Sequence, residues 1–283
     1  MKLVHAANSW HHIDKNKQTH TRGYEGLRAQ RFEKTGQGDL KEGFSLGRNV
    51  PRDHPDVTAG VFAQGPNLYP SELTGFRETM DAYFQEADQL CQRVLGIISL
   101  TLGLEEDYFD KAFCKPPLVQ RMRLLHYPPQ AVDAPEDERG IGAHTDFGAV
   151  TVLLQDEKGG LQVWDTDEGG WIDVQPNPHA VVVNLGNMIM RITNDRYISG
   201  LHRVINQHSH GDRYSVPFFY HGHVDFTVKC LPGCEGQDGP NYVPISVEEL
   251  LKGRYLQTYG NVVASETVKS IEERRQDYLL ERT

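Results

Sequence analysis

Gly140-Ile141-Gly142-Ala143-His144-Thr145-Asp146-Phe147-Gly148-Ala149-Val150-Thr151-Val152-Leu153-Leu154 is the stretch on which the fold turns. A glycine-rich approach leads into an aliphatic and β-branched run of strand length, with a histidine and an aspartate at the junction. Similar short β-rich runs lie on either side, at residues 122–127, 149–155, 161–164, 179–185, 201–206 and 214–226. Between them stand Pro128-Pro129, Lys158-Gly159-Gly160, Glu168-Gly169-Gly170 and Ser209-His210-Gly211-Asp212, which read as turns. Many short strands at close spacing, with no helix between them, predict an antiparallel sandwich or barrel rather than a βαβ sheet.

Outward from this core the pattern changes. Residues 1–70 are polar and broken by Gly and Pro, and read as loops and short elements. Over residues 71–103 Leu73, Phe76, Met80, Tyr83, Phe84, Ala87, Leu90, Val94, Leu95, Ile98 and Leu102 recur at spacings of three and four, predicting one long amphipathic helix stopped by Gly103. After Pro244 helical patterning returns at 247–251 and in a charged segment at 265–280. With no repeat and no long linker, residues 1–283 read as one domain, mainly β with flanking helices. Its parts are the loop-rich 1–70, the helix 71–103, the β core 118–228 and the helical 244–283.

Composition narrows the function. The 283 residues are 38% hydrophobic and 24% charged, ordinary for a globular protein. A net charge of −10 gives no positive field for phosphates, so nucleic acid is not expected as a partner. No apolar run is long enough for a signal peptide or a membrane span. Cys91, Cys114, Cys230 and Cys234 lack the paired spacing of a zinc site, and read as reduced thiols of a cytoplasmic protein.

Thirteen histidines raise the question of a metal. Residues i and i+2 of a strand share a face, so His-x-Asp presents an imidazole beside a carboxylate. With a distant third histidine this makes the 2-His-1-carboxylate face of non-haem Fe(II) oxygenases. The pattern recurs here, at His12/Asp14, His54/Asp56, His144/Asp146 and His223/Asp225 among others. His12 lies in a polar loop, and Pro55 argues against a strand at His54. His223/Asp225 has no downstream histidine and remains a weak rival. His144/Asp146 adjoins an apolar strand and has a well-placed partner in His202, flanked by Leu201 and Val204. His208 and His210 fall in a turn, and His179 at a strand's start. Eleven residues past His202, Arg213 and Ser215 share a face if the strand runs on, and a guanidinium fork beside a hydroxyl binds a carboxylate.

At these residues the chain resembles the 2-oxoglutarate- and Fe(II)-dependent dioxygenases of the isopenicillin N synthase-like family, from about Arg22-Gly23-Tyr24 to Tyr255. The resemblance is carried in order by Arg123-Leu124-Leu125-His126-Tyr127-Pro128-Pro129, His144-Thr145-Asp146-Phe147-Gly148, Gly160-Leu161-Gln162-Val163, Val183-Asn184-Leu185-Gly186-Asn187, His202-Arg203-Val204 and Arg213-Tyr214-Ser215. It implies a double-stranded β-helix, or jelly roll. It implies His144, Asp146 and His202 as Fe(II) ligands, Arg213 and Ser215 as the anchor of 2-oxoglutarate, and Tyr127 as a further contact to that cosubstrate. The implied reaction couples oxidative decarboxylation of 2-oxoglutarate by O2 to hydroxylation or desaturation of a small molecule. Phe147 and Phe219 read as ordinary core packing, with pocket walls as the alternative, and the loop at Arg22-Gly23-Tyr24 is a candidate mouth. Two relatives' behaviours compete: an Fe(II) oxidase that does not use oxoglutarate, and a non-catalytic jelly-roll binding protein. The family also carries an N-terminal strand and helix ahead of where this chain begins, so the chain reads as short at that end. Where plant members read Asn-Tyr-Tyr-Pro, it has Leu125-His126-Tyr127-Pro128.

Overall fold

Two strands come first, β1 (Gly23–Glu25) and β2 (Glu42–Gly47), followed by the one-turn helix α1 (Pro55–Thr58). The long helix α2 (Phe76–Thr101) and a 3-10 turn at Phe109–Lys111 precede the main run of strands. These are β3 (Leu118–Tyr127), β4 (Ile141–His144), β5 (Val150–Gln155), β6 (Leu161–Asp165), β7 (Gly170–Asp173) and β8 (Val182–Leu185). A short helix, α3 (Asn187–Ile192), leads to β9 (His202–Val204), β10 (Arg213–His223), β11 (Thr227–Val228), β12 (Ile245–Ser246) and α4 (Val247–Tyr259). This computed structural model describes residues 22–32, 38–206 and 211–259, with side chains to Arg254. The helical expectation at 265–280 and the pair His12/Asp14 lie outside the described residues.

The strands form a six-stranded sheet, β1-β2-β3-β10-β5-β8, and a four-stranded sheet, β4-β9-β6-β7, with β11-β12 as a separate pair. All pairings between these strands are antiparallel. From β3 to β10 every connection except β6–β7 crosses from one sheet to the other, and a cavity lined from both lies between them; this is the antiparallel sandwich that the strand pattern predicts and the jelly roll that the resemblance implies.

Alternation along β10 shows how the layers divide. Arg213, Ser215, Pro217, Phe219 and His221 line the cavity, while Phe218 and Tyr220, both fully buried, belong to the apolar core. That core lies between the six-stranded sheet and α2, whose Ala87, Cys91, Leu95 and Ile98 form a buried stripe at helical spacing. Phe84 of α2 meets Phe218 edge to face, with ring centroids 4.9 Å apart.

The structure corrects the sequence reading at several places. The long helix starts at Phe76 rather than near Ser71, because Gly75 adopts a left-handed conformation (φ 77°) that no helix continues through. Residues 1–70 hold two strands of the larger sheet, and Arg22-Gly23-Tyr24 enters the edge strand β1 instead of forming a mouth loop, with Arg22 buried. The glycine-rich stretches at 141–144 and 170–173 are the strands β4 and β7, and α3 intervenes between β8 and β9. Among the described residues no helix is long and apolar enough to cross a membrane, and all four cysteines are free thiols.

Candidate active site

His144 is the last residue of β4 and pairs directly with His202, the first of β9, so the smaller sheet's own register brings the two imidazoles together. Their ring centroids are 4.3 Å apart. Asp146 is not on the strand with His144. It lies just past the end of β4, in the crossover to the larger sheet, and backbone bonds place it there: Asn187 N donates to Asp146 O (2.8 Å), Met188 N to Gly148 O (3.1 Å) and Gly186 N to Ala149 O (2.9 Å). This explains Gly186, where a Cβ would collide with the Gly148 carbonyl.

The three side chains converge. One donor atom from each of His144, Asp146 and His202 lies within 4.8 Å of the others, the only such group of three metal-binding side chains among the described residues. Asp146 Oδ1 is 4.0 Å from His144 Nε2 and 3.8 Å from His202 Nε2. Each imidazole is oriented through its other nitrogen: His144 Nδ1 bonds Gly142 O (2.8 Å) and His202 Nδ1 bonds Gly200 O (3.0 Å). A carbonyl only accepts, so both Nδ1 atoms carry the proton and both Nε2 lone pairs face the Asp146 carboxylate.

Asp146 is held from its far side. Thr151 Oγ1 and Asn184 Nδ2 both donate to its Oδ2, each at 2.7 Å. These two residues are cross-strand partners in β5 and β8. The carboxylate is buried, which raises its pKa, but the imidazoles and these two donors outweigh burial and keep it below the usual aspartate range. Burial, followed by the His202 charge, pushes His144 down to about 3, so its imidazole is neutral at physiological pH. Phe32 stacks on the His144 ring at 4.2 Å, nearly parallel. Asp39 accepts from Gly142 N (3.1 Å) and pairs with the buried Lys41 (2.9 Å), fixing the start of β4.

The same cavity, about 160 Å3 in volume, holds Arg213, Ser215 and Tyr127. Arg213 is 1% exposed and sits opposite Tyr127 across β10 and β3. Its Nε donates to Gly159 O (2.6 Å) and its Nη2 to Gln155 Oε1 (3.0 Å), and its guanidinium lies 4.8 Å from the Tyr127 ring centroid. The third nitrogen, Nη1, is buried with no hydrogen-bond partner among the described residues. Burial raises the Tyr127 pKa, with Arg213 pulling the other way, so the phenol keeps its proton. Leu125, Ile141, Leu161 and Val204 are the apolar sleeve around these groups.

The site has the donor set and polarity of a non-haem iron centre with an anion pocket beside it, and the comparisons agree. The sequence model of the 2OG-Fe(II) oxygenase superfamily matches residues 118–222. The 2-oxoglutarate-Fe(II) type oxidoreductase hxnY of Emericella nidulans is 48% identical over 263 residues, 89% of this chain and 73% of that protein. The chain belongs to the 2OG-Fe(II) oxygenase superfamily. The 2-oxoglutarate-dependent dioxygenase citB of Monascus ruber is 42% identical over 245 residues, 84% of this chain and 74% of its own. Among solved structures, a Neurospora crassa protein in complex with alpha-KG and 5-formyluracil superposes with a TM-score of 0.71 at 30% identity, covering 84% of this chain and 73% of that one. JOX2 in complex with 2OG, Fe and JA gives 0.71 at 29% identity, covering 93% and 72%. This superfamily member is thus an Fe(II)- and 2-oxoglutarate-dependent dioxygenase that uses O2.

The other sequence candidates are not brought into the site. His54 caps α1, its Nδ1 accepting from Asp56 N (3.2 Å), and His223 does the same for Asp225 N (3.0 Å), so each pair is a local turn. His179 N donates to Asn177 Oδ1 (2.9 Å). His208 and His210 lie outside the described residues. Phe147 and Phe219 both line the cavity, where the sequence favours ordinary core packing for each. Thr151 and Asn184 stand in stretches quoted from the sequence but have no role assigned there, and Phe32 is not marked at all.

Proposed function

We propose that His144, Asp146 and His202 bind the Fe(II) of this dioxygenase and that Arg213, Ser215 and Tyr127 bind 2-oxoglutarate. The observation that carries the reading is the convergence of three oriented donors in one cavity with a buried guanidinium that keeps one nitrogen unbonded. When bound, Fe(II) supplies O2 activation coupled to decarboxylation of the cosubstrate. The chain's own residues do the rest. Gly142 and Gly200 hold the imidazole lone pairs inward, and Thr151 and Asn184 occupy one oxygen of Asp146 so that the other faces the metal. Arg213 Nη1 and the protonated Tyr127 donate to the distal carboxylate, and the aliphatic sleeve excludes water around it.

The oxidised substrate is a small molecule, in keeping with the cavity's size. The chain is one oxygenase domain, which the continuous core between α2 and the larger sheet supports. Four free thiols fit a reducing, cytoplasmic location. The test is succinate formation from 2-oxoglutarate. His144→Ala and Asp146→Ala should abolish it with an unchanged circular dichroism spectrum, and Arg213→Ala should raise the KM for 2-oxoglutarate about 10- to 100-fold, the worth of a hydrogen bond to a charged group. Undiminished turnover in either metal-site variant would refute the assignment.

A further inference from the structure

Strand β10 turns five alternate side chains into the cavity, and their order along the strand sorts them. Arg213 and Ser215 come first, as the proposed anchor of the cosubstrate. Phe219 pairs across the sheet with Thr151, whose hydroxyl holds Asp146, so this row marks the level of the proposed metal. Arg213 stands six residues from that level, about 20 Å along the strand in one direction, and His221 two residues, about 7 Å, in the other. A cosubstrate bound between the metal and Arg213 leaves the His221 side to the molecule that is oxidised. We propose that His221 hydrogen-bonds the primary substrate, and that this substrate is a planar, largely apolar ring carrying a neutral hydroxyl or carbonyl group. The inference rests on the iron and oxoglutarate assignment and adds the chemical class of the molecule oxidised.

The backbone bulges at His221. Tyr220 faces Gln120 and Gly222 faces Val119, so His221 has no register partner on β3. Gly222 takes a left-handed φ of 85°, and a Cβ there would collide with the Phe113 ring. A bulge of this kind re-aims a side chain and recurs beside active sites. The imidazole lies against the loop that carries Asp146: a Cβ on Gly148 would come within 3.2 Å of His221 Cδ2 and 3.5 Å of its Nε2. His221 is 8% exposed, and its Nδ1 is buried with no hydrogen-bond partner among the described residues, the condition of Arg213 Nη1 at the cosubstrate end. A buried nitrogen left unanswered is costly, and a ligand that bonds to it relieves that cost.

The surroundings give the class. Burial and then the nearby Arg121 charge push His221 down to about 3, against the Asp146 charge and backbone carbonyls, so the imidazole is neutral and meets a neutral partner. Its ring centroid is 6.3 Å from that of Phe219, and Phe147 and Leu251 share the cavity. Such walls suit the flat face of a ring and exclude water, so a hydroxyl or carbonyl brought between them must find its hydrogen bond on the protein.

The experiment titrates the full chain, loaded anaerobically with Fe(II) and 2-oxoglutarate, with toluene, 4-methylphenol and 5-methyl-2-pyridone, and reads Kd by calorimetry. An apolar cavity with no polar partner binds toluene most tightly, because the hydroxyl and the carbonyl lose their water on entry. With His221 as partner, at least one polar ring should bind about threefold or more tightly than toluene. His221→Phe should reverse that order, and His221→Gln, which keeps a hydrogen-bonding amide, should retain part of the preference. Circular dichroism checks that each variant folds, and His221→Leu, which should give the same reversal, replaces His221→Phe if the larger ring does not fit. The proposal is overturned if none of the three rings binds, if toluene binds as tightly as both polar rings, or if a polar ring keeps its advantage in His221→Phe or His221→Leu. Failure of the underlying site assignment shows separately, as succinate formation that survives His144→Ala.

Discussion

Asp146 has two oxygens with separate tasks. Oδ2 takes both hydrogen bonds from Thr151 and Asn184, which leaves Oδ1 directed at the two Nε2 atoms. Removing either donor frees the carboxylate to rotate and leaves a lone pair of a buried anion unanswered. Thr151→Val and Asn184→Leu should each weaken metal binding about 10- to 100-fold, the usual cost of losing a partner that orients a ligand. Anaerobic Fe(II) titration of the two variants checks this, and wild-type affinity in both would show that the bonds do not orient the ligand. The convergence of His144, Asp146 and His202 is legible in the sequence because metal chemistry restricts the residue types and spacings worth bringing together. Thr151 and Asn184 are not, because a strand threonine and asparagine are ordinary, and their meeting depends on a register between β5 and β8 that spacing does not reveal. Phe32 escaped for a similar reason: its stacking on His144 is made across 112 positions of chain.

Elements show the same division. The strands rich in Val, Leu and Phe are readable, whereas β2 (Glu-Gly-Phe-Ser-Leu-Gly) reads as loop because of its glycines. Those glycines make room: a Cβ at Gly47 would collide with the buried Arg22 guanidinium, and one at Gly43 would press on Leu125 and approach Arg123. Where the chain departs from the family's tyrosine, His126 joins three elements. It bonds Glu42 of β2 through Nδ1 and Asp212, just before β10, through Nε2, both at 2.8 Å, and stacks on Tyr214. Burial alone would lower the His126 pKa, but the two carboxylates raise it above 6.5, and the imidazole bonds carry Glu42 below 4.5 against its own burial. The His126 contribution to stability is therefore complete below about pH 6.5 and is lost as pH rises through the raised value. That of Glu42 is present above about pH 4.5 and is lost as pH falls through the depressed one. Wild-type protein should be more stable than His126→Gln near pH 6, with the gap in Tm narrowing as pH rises towards 9, as followed by thermal melts. A constant gap would mean that His126 acts through packing alone. For α2, the fully buried Leu95 predicts that Leu95→Ala costs about 2–5 kcal/mol in chemical denaturation, since a cavity remains between helix and sheet.

At the scale of the whole molecule the proposed metal site draws on both sheets. His144 and His202 belong to the four-stranded sheet, whereas the groups that hold Asp146, and Arg213 of the proposed anion pocket, belong to the six-stranded one. The larger sheet has a second layer in α2 and a core that continues into α4 through Leu250 and Leu251. The apolar cluster between the two sheets is smaller, with Leu125 and Tyr127 from the larger sheet and Ile141, Leu161 and Val204 from the smaller one. Bound Fe(II) and 2-oxoglutarate should thus stabilise the two parts unequally. Ligands that bind only the folded state add about 2.7 kcal/mol at a hundredfold excess over Kd, and local opening of the smaller sheet breaks the site while local motion of α2 does not. Anaerobic hydrogen exchange with Fe(II) and 2-oxoglutarate should slow in β4, β6 and β9, with little change in α2, and addition of a chelator should reverse it. In Arg213→Ala, the metal alone should give part of this protection and the cosubstrate should add none. Uniform protection of both sheets would mean that they open together, so that the metal stabilises a single cooperative unit instead of closing the weaker sheet onto the stronger.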